Sequence, residues 1–505
     1  MGTTTGRWTG GPARGRIAAV VTTLVLALLA ASCTTSPSVG PGTITLRTTL
    51  VATGFELAWS GEIPAGTTAT VQVRSLGPDH PTGWVSQQAG TATSATFTDV
   101  DDGDTYQLKV IAVAGDGTTA AWSDITTATF VRTTLPVVRI ETAGRAPVLS
   151  TEDYVAGTLS LDPGTTGFPA VTGAAEVRVR GNSTALPDKK PYKVKLQTKA
   201  SLLGMPTEKD WVLLANWFDR SNLRTHTAFE LGRSTGLAWT PRDRFVEVVV
   251  NGDYRGVYLL TEQVEVSAQR VGITEMDEAD VSGEALTGGY LLEVDQRLEQ
   301  NQEPGFRSAA GVPIVVKDPD PAAPEQLDHV RSLVADLEQR LYSPGFADRT
   351  TGYRAVLDTP SLVDWYLVEE VMRNQEAWFS STFMTKDRGG LLEMGPLWDF
   401  DLSSGSPTSV EQGTQGWKAR IANPWSARLF EDPTLVAEVE ARWAQMEPAF
   451  RQVAAGISAT GAALAPATAS DRARWGDSTS PTADSPAFLR SWLEQRIDWL
   501  DAQYG

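Results

Sequence analysis

The chain of 505 residues is too long for one ordinary hydrophobic core, so we expect two or three domains. An apolar fraction of 41% and 16 tryptophans are typical of a globular chain and exclude a disordered one. The formal net charge of −18 argues against nucleic acid as a partner, because the phosphate backbone attracts a basic protein surface.

The first forty residues have the composition of an export signal and a tether. Arginines near the start precede an apolar stretch at 17–31 that is too short to span a bilayer comfortably. With small residues before Cys33, the segment 1–33 resembles a bacterial lipoprotein signal peptide, although Ala30 stands where the strongest signals have Leu. The resemblance implies a lipid anchor at Cys33 on the extracytoplasmic face of the bacterial cell membrane, with 34–40 as the tether. An ordinary secretory signal and a secreted protein are the alternative.

Residues 41–133 form a region of short alternating strands separated by turn residues, which predicts a β-sandwich of six or seven strands. Trp59 is expected to point inward, and Tyr106 opens the strand that runs to Ala114. Together with Trp122, these features resemble a fibronectin type III module, an immunoglobulin-like all-β fold. Such modules usually act as spacers or binding surfaces.

Residues 137–505 show strands first and helices afterwards, an order that predicts an α+β domain. The expected strands include a hairpin around Asn251 and Gly252, the strongest local hairpin signal. Apolar residues at three- and four-residue steps predict helices at 221–236, 324–342, 359–378, 433–457 and 486–504.

The stretch Leu391–Gly405 is the strongest candidate for a functional site. Asp399 and Asp401 are two residues apart, so on an extended strand both would point to one face and could bind a divalent cation through oxygen. Trp398 would add a flat apolar surface beside them. Asp-x-Asp pairs are also common on solvated strand ends, and that remains the alternative for the motif by itself.

A phosphotransferase needs cations for the phosphates, carboxylates for a metal and a base near the acceptor hydroxyl. Basic residues cluster within 180–195, namely Arg180, Lys189, Lys190, Lys193 and Lys195. Glu262 at the end of the hairpin could pair with one of the lysines, and Glu376, just after the helical part that ends at Arg373, is a possible base. The chain has no standard Gly-rich phosphate loop and no H-R-D or D-F-G string. A solvated strand face is the alternative reading of the lysines.

Five sequence blocks in order resemble the CotH kinase family, whose members have an atypical protein-kinase-like fold. The blocks are RGNST…KKPYKVKL, LLGMPTEKDWVLLANWFDRSNLRTHTAFEL, RFVEVVVNGDYRGVYLLTEQVEV, TGGYLLEVD and GPLWDFDLSSG. The resemblance implies transfer of the ATP γ-phosphoryl group to a protein hydroxyl with Mg²⁺ or Mn²⁺. The expected partners are an unknown protein substrate or surface partner and, through the lipid anchor, the membrane.

The resemblance also implies roles for particular residues. Asp399 would bind the metal and take part in catalysis, with Asp401 and Asn374 as further metal ligands. The residues expected to contact the nucleotide or to orient those contacts are Arg180, Lys190 or Lys193, Glu262, Tyr290 and Trp398. Trp398 would lie beside the base, Glu262 would orient the phosphate lysine, and Tyr290 would line the adenine pocket.

Glu376 marks a departure from the family. Members commonly have Asn-x-Asp where this chain has Asn374-Gln375-Glu376, and that aspartate is the expected base. Glutamate keeps the carboxylate but adds one methylene, and a displacement of about 1 Å can reduce a rate by on the order of a hundredfold. A non-catalytic, pseudokinase-like surface protein is therefore the main alternative to a kinase. A hydrolase of surface glycans that uses Glu376 and Asp399 is a third hypothesis.

Overall fold

The computed structural model describes residues 44–51, 54–61, 63–76, 83–98, 100, 105–130, 134–410 and 412–505. Cys33, the predicted signal peptide 1–33 and the tether 34–40 lie outside the described residues. The described residues divide into two compact units, one up to residue 133 together with 249–254, the other 134–248 with 255–505. The predicted α+β class is confirmed, because β-sheets dominate the first half of the chain and helices the second.

The described residues between 44 and 130, which belong to the first unit, form eight strands in two sheets. They are β1 (Ile44–Val51), β2 (Gly54–Gly61), β3 (Thr67–Ser75), β4 (Val85–Gly90), β5 (Ser94–Phe97), β6 (Thr105–Ala114), β7 (Thr119–Trp122) and β8 (Thr126–Thr129). One sheet has the order β1-β2-β5, and the other has β4-β3-β6-β7 with β8 paired to β6. The strand β4 was not predicted, because its sequence VSQQAG has no apolar alternation.

Alternate residues of the strands form the core of this sandwich. Every second residue of β6 from Tyr106 to Ala112 is buried, as the period-2 pattern predicted. The rings of Phe55 in β2 and Tyr106 in β6 meet edge to face at 5.8 Å, which joins the two sheets. Trp59 is buried as predicted, whereas Trp122 is exposed.

The second unit begins with a closed seven-stranded barrel in the order β10-β11-β12-β13-β15-β14-β9. Its strands are β9 (Val137–Thr142), β10 (Val155–Asp162), β11 (Val171–Val179), β12 (Tyr192–Ala200), β13 (Glu208–Leu214), β14 (Asp243–Val250) and β15 (Asp253–Glu262). Asn251 and Gly252 both have positive φ, 53° and 79°, which confirms the predicted hairpin turn.

A five-stranded sheet with the order β17-β18-β16-β19-β20 follows the barrel in the sequence. Its strands are β16 (Tyr290–Val294), β17 (Gly305–Arg307), β18 (Pro313–Asp318), β19 (Thr382–Lys386) and β20 (Leu392–Met394). Because β16 lies at its centre, both edges of that strand are hydrogen-bonded and its residues are buried.

Seven helices complete the second unit, and most of them follow the barrel in the sequence. They are α1 (Arg224–Arg233), α2 (Leu298–Asn301), α3 (Pro324–Leu341), α4 (Thr359–Met372), α5 (Pro424–Leu429), α6 (Pro433–Trp475) and α7 (Pro486–Tyr504). Every residue of α4 from Leu362 to Met372 is buried, so this helix forms the centre of the helical region. Among the described residues, no helix is both long and apolar enough to cross a bilayer.

Start signals located the helices more accurately than stop signals did. The helices α4, α6 and α7 each have Pro as their first or second residue and follow an Asp or Ser whose side chain accepts a backbone N–H of the first turn. The prediction that the 359–378 helix runs to Trp378 was wrong, since Arg373 adopts the left-handed conformation with φ 47° and ends it. The predicted end at residue 457 was also wrong, because alanine-rich sequence and the buried Leu464 continue α6 to Trp475.

Candidate active site

A cleft of about 950 Å³ runs between the barrel and the five-stranded sheet of the second unit. Its walls come from the ends of barrel strands, from β16, β18 and β19, and from the loops after α4 and β20. Six residues predicted from the sequence line this cleft, namely Arg180, Lys193, Glu376, Trp398, Asp399 and Asp401.

The loop that carries the two aspartates is not a strand. The prediction of an extended Asp-x-Asp pair was wrong, because Asp399 has φ 64° and the residues around it are irregular. Trp398 packs on Phe229 with ring centroids 6.0 Å apart, and Phe400 is fully buried in the main core. These two aromatic side chains fix the loop, so that both aspartates still line the cleft although the backbone is not extended.

Burial raises the pKa of three carboxyl groups of the cleft, and the charge of a neighbouring carboxyl group raises it further in Glu376 and Asp401. Burial, followed by the charge of Asp399, raises the pKa of Glu376 to about 8. Burial raises the pKa of Asp399 and, with the charges of Asp399 and Glu376, raises the pKa of Asp401 well above its ordinary value. A site where several carboxylates repel each other has a strong electrostatic preference for a cation.

The carboxylates of the cleft fit a magnesium or manganese ion whose remaining ligands come from phosphates and water. Within the described ranges, no group of three His, Cys, Asp or Glu side chains is arranged to hold a metal ion alone. Mg²⁺ is usually bound through one or two carboxylates together with substrate phosphates and waters. Asp399 and Asp401, which supply hard oxygen donors beside open space, satisfy that smaller requirement.

Asn374 connects the two loops of the site. It is buried, its Nδ2 donates to the carbonyl of Asp399 at 3.3 Å, and its Oδ1 accepts the N–H of Glu376 at 3.2 Å. Because both polar atoms already have backbone partners, Asn374 holds Glu376 and Asp399 in place. It is not among the described residues that line the cleft.

Glu376 forms an ion pair with Arg297, a residue that sequence reasoning missed. Its Oε1 lies 3.4 Å from Nη2 of Arg297, and the same guanidinium donates to Ser380 Oγ at 2.7 Å. Arg297 also lies 3.7 Å from Asp295. Arg297 belongs to no sequence motif, and it lies 79 residues before Glu376, so only the folded structure brings the two together.

Arg180 and Lys193 form the basic wall of the cleft. The guanidinium of Arg180 lies 5.3 Å from the centroid of the Trp398 ring and makes no hydrogen bond with a described residue. Lys193 on β12 lies opposite Arg178 on the neighbouring strand β11, and Arg178 also lines the cleft. The Nζ of Lys193 lies 3.4 Å from Asp210. Arg180 is therefore available to an anionic ligand without losing a hydrogen bond or an ion pair to a described residue.

The other two lysines of the basic block have different surroundings. Lys190 donates to the carbonyls of Ala185 at 2.7 Å and Leu186 at 3.1 Å, and it does not line the cleft. Lys189 is buried in an ion pair with Asp471, 2.6 Å apart. Of the two lysines proposed for phosphate, the structure brings only Lys193 to the other site residues.

Glu262 and Tyr290 also lie apart from the described residues that line the cleft. The expected pairing of Glu262 with a strand lysine was wrong, because its Oε1 binds Nη1 of Arg242 at 2.9 Å inside the barrel wall. Tyr290 is fully buried, and its hydroxyl donates to the carbonyl of Leu286 at 2.8 Å. Both side chains are engaged within the protein.

Strand β16 contributes to the cleft through the residues next to Tyr290. Leu291 and Glu293 line the cleft, whereas Tyr290 and Leu292 belong to the main hydrophobic core. Successive side chains of a strand point to opposite faces. The strand therefore lines the cleft as predicted, but through Leu291 and Glu293 and not through Tyr290. Burial raises the pKa of Glu293 to about 7.

The fold and the cleft thus define an α+β domain with a carboxylate-rich site beside a basic wall. Residues 177–500 match the family described as CotH kinase protein. Since this match covers more than half of the chain, the protein belongs to the CotH kinase family. No curated protein matches the sequence.

Several solved structures are similar to parts of the chain, among them one from chicken and one from C. elegans. The FN1–FN3 domains of chicken CNTN1 match with 17% identity and a TM-score of 0.16, over 32% of this chain and 60% of that one. The twitchin kinase region of C. elegans matches with 11% identity and a TM-score of 0.17, over 39% of this chain and 44% of that one. In both cases the match spans less than two thirds of the solved chain.

Proposed function

We propose that this protein is an atypical protein kinase that transfers the γ-phosphoryl group of ATP to a protein hydroxyl in the presence of Mg²⁺ or Mn²⁺. One observation carries the proposal: a single cleft joins Arg180 and Lys193 to Glu376, Asp399 and Asp401. Phosphoryl transfer depends mainly on positioning and on stabilisation of charge, and this set supplies both.

The basic wall would bind the triphosphate. Arg180, which has no competing hydrogen-bond partner among the described residues, would contact phosphate oxygens, with Lys193 contributing a second positive charge. Trp398 is 6% exposed, with Arg180 over its ring and Phe229 packed against it, so it would hold Arg180 in position and leaves no free face for the base. A bound Mg²⁺ or Mn²⁺ would neutralise phosphate charge and lower the repulsion between Asp399 and Asp401.

Glu376 would act on the acceptor. The hydroxyl oxygen of the acceptor forms a bond to the γ-phosphorus, the bond from phosphorus to the β,γ-bridging oxygen breaks, and ADP leaves. The hydroxyl proton passes to the Glu376 carboxylate, which must be ionised beforehand. The guanidinium of Arg297, 3.4 Å away, favours that ionised form.

The same ion pair supports the second candidate, a pseudokinase-like protein that binds a partner at the cell surface. A glutamate held by Arg297 is less available as a base than a free carboxylate. The glycan-hydrolase hypothesis has less support. The match of residues 177–500 to the CotH kinase family speaks against it.

The decisive experiment is incubation of the full chain with labelled ATP and Mg²⁺ or Mn²⁺, in the wild type and in Asp399→Ala. Label transfer by the wild type but not by Asp399→Ala supports a kinase. Nucleotide-dependent thermal stabilisation without any transfer supports the pseudokinase. The absence of both label transfer and stabilisation would remove the kinase proposal.

The location of the protein is part of the same proposal. We infer an extracytoplasmic lipoprotein anchored through Cys33, with a secreted protein as the alternative, on the basis of the sequence before that residue. Fatty-acid labelling and membrane fractionation of the wild type and Cys33→Ala separate the two. A wild-type protein that is unlabelled and found in the medium would exclude the anchor.

A further inference from the structure

Asn216 lines the cleft beside the residues proposed to bind nucleotide and metal. It lies two residues after the end of β13, and its side chain is 7% exposed. Across the described residues, no acceptor lies within hydrogen-bond distance of its Nδ2. A buried amide N–H without a partner is unfavourable, because the group has lost water and gained nothing.

The backbone of the loop that carries Asn216 is held by several contacts. Asn216 has φ 50°, in the left-handed region, and its carbonyl accepts the N–H of Asp219 at 3.2 Å. Asp219 is itself held by the buried Arg224, whose Nη1 lies 2.6 Å from its Oδ1. The amide is therefore fixed at the wall of the cleft, as a preorganised ligand contact would be.

The position of Asn216 indicates which ligand atom it meets. The loop that carries Asn216 is hydrogen-bonded to the segment just after Asp401, since Arg224 Nε donates to the carbonyl of Ser403 at 3.0 Å and Ser406 Oγ donates to that of Phe218 at 3.4 Å. Asn216 therefore lies at the carboxylate end of the cleft. An amide nitrogen can only donate, and it therefore requires an acceptor oxygen or nitrogen. At the carboxylate end, a metal ion held by Asp399 and Asp401 would bind the phosphates, so the nucleotide acceptors there are phosphoryl oxygens.

We propose that Asn216 is a specificity residue that donates a hydrogen bond to the terminal phosphoryl group of a nucleoside triphosphate. This inference rests on the proposed kinase function. The contact distinguishes a triphosphate from a diphosphate, because the diphosphate lacks the oxygen that the amide reaches. A hydrogen bond to the ligand would explain why the N–H group of Asn216 is buried without a partner in the protein.

Two substitutions test the contact without disturbing the backbone. Glycine and aspartate both adopt positive φ readily, so Asn216→Gly and Asn216→Asp preserve the loop while they remove the donor. We expect Asn216→Gly to weaken binding of a non-hydrolysable ATP analogue with Mg²⁺ by about tenfold and to change ADP binding less than about twofold. Asn216→Asp should lose more, because it adds a negative charge beside the phosphate.

A matched control lies six residues further along the same loop. Asn222 also has a positive φ of 63°, is 2% exposed and has an unpartnered Oδ1, but it does not line the cleft. Asn222→Gly should therefore bind both nucleotides as the wild type does. A structure of the wild type with the analogue examines the same contact without any substitution.

Each result decides the inference. Wild-type affinity of Asn216→Gly for the analogue, or an Nδ2 far from the γ-phosphoryl oxygens, overturns it. An equal loss for ADP and the analogue overturns the assignment to the terminal phosphoryl group. If the wild type binds neither nucleotide, the proposed function fails together with this inference, an outcome distinct from the failure of Asn216 alone.

Discussion

Glu376 Oε1 lies 3.4 Å from Nη2 of Arg297, an ion pair that joins the loop after α4 to the residue that precedes α2. The pair lies in the cleft beside Asp399. It bears on the proposed catalysis, because it orients the carboxylate that we propose as the proton acceptor.

The length of Glu376 should limit the rate. Glu376→Asp restores the residue that the family commonly has and removes one methylene, so we expect phosphoryl transfer to rise by up to about a hundredfold. Glu376→Gln cannot accept a proton and should lose transfer while it keeps nucleotide binding. Single-turnover kinetics with labelled ATP measures both. Full activity of Glu376→Gln would show that another group is the base.

The carboxylate cluster makes stability depend on pH. An unfolded Glu releases its proton near pH 4.5, whereas Glu376 in the folded protein releases it near pH 8. Between these values the folded state binds more protons than the unfolded state, so this contribution to stability is complete below pH 4.5 and is lost as the pH rises through 8.

Glu376→Gln should therefore raise the melting temperature relative to wild type at pH 8 and much less at pH 5. Thermal unfolding of metal-free protein across this range tests the effect. The exposed Glu440 on α6 provides a control, and Glu440→Gln should not show the same trend. Identical pH profiles for Glu376→Gln and wild type would contradict the raised pKa.

Substitutions of the two candidate phosphate lysines should have different effects on ATP affinity. Lys193→Ala removes a cation from the cleft and should weaken ATP binding by about tenfold, in line with the loss of one charge-assisted contact. Lys190→Ala, outside the cleft, should leave affinity unchanged. Titration calorimetry of the two variants compares them. A larger loss in Lys190→Ala would reverse the assignment.

Asp399 should be needed for metal-dependent binding. Removal of its carboxylate by Asp399→Ala should abolish the increase in ATP affinity that Mg²⁺ or Mn²⁺ produces and should reduce transfer by more than about a hundredfold. Nucleotide titrations with and without metal measure the first effect. Metal dependence equal to that of the wild type would exclude Asp399 as a ligand.

The ion pair between Glu370 and Arg496 should stabilise the helical region. Both side chains are 0% exposed, and Nη2 of Arg496 lies 2.7 Å from Oε1 of Glu370, which joins α7 to α4. Removal of one partner leaves the other charge buried, so Arg496→Met should lower the free energy of unfolding by about 3–5 kcal/mol. Chemical denaturation measures it. Arg490→Met, at the more exposed pair with Glu494, is the matched control and should change little.

Local signals determined much of the fold. The helix α7 begins at Pro486 and ends at Tyr504, as its apolar spacing predicted, and the Asn251-Gly252 turn forms the expected hairpin. Such elements depend on residues a few positions apart, and those interactions are visible in the sequence. The sequence blocks also identified the family, since their order is independent of any geometry.

The Asp399 loop shows how a locally correct motif can have the wrong conformation. The sequence by itself determined that two carboxylates and an aromatic side chain stand together, and the structure places all three in the cleft. Only the packing of Trp398 on Phe229 and the burial of Phe400 decided that Asp399 adopts a left-handed backbone.

The tertiary structure alone decided the partners of the site residues. The pairing of Glu262 with Arg242, the contact of Glu376 with Arg297 and the burial of Asn216 each involve residues from separate segments of the chain. No short-range pattern specifies such contacts, because they arise when the barrel, the sheet and the helices pack together. The residue types of the active site could therefore be predicted from the sequence. Their ion pairs, and the unpartnered Nδ2 of Asn216, could be found only in the folded structure.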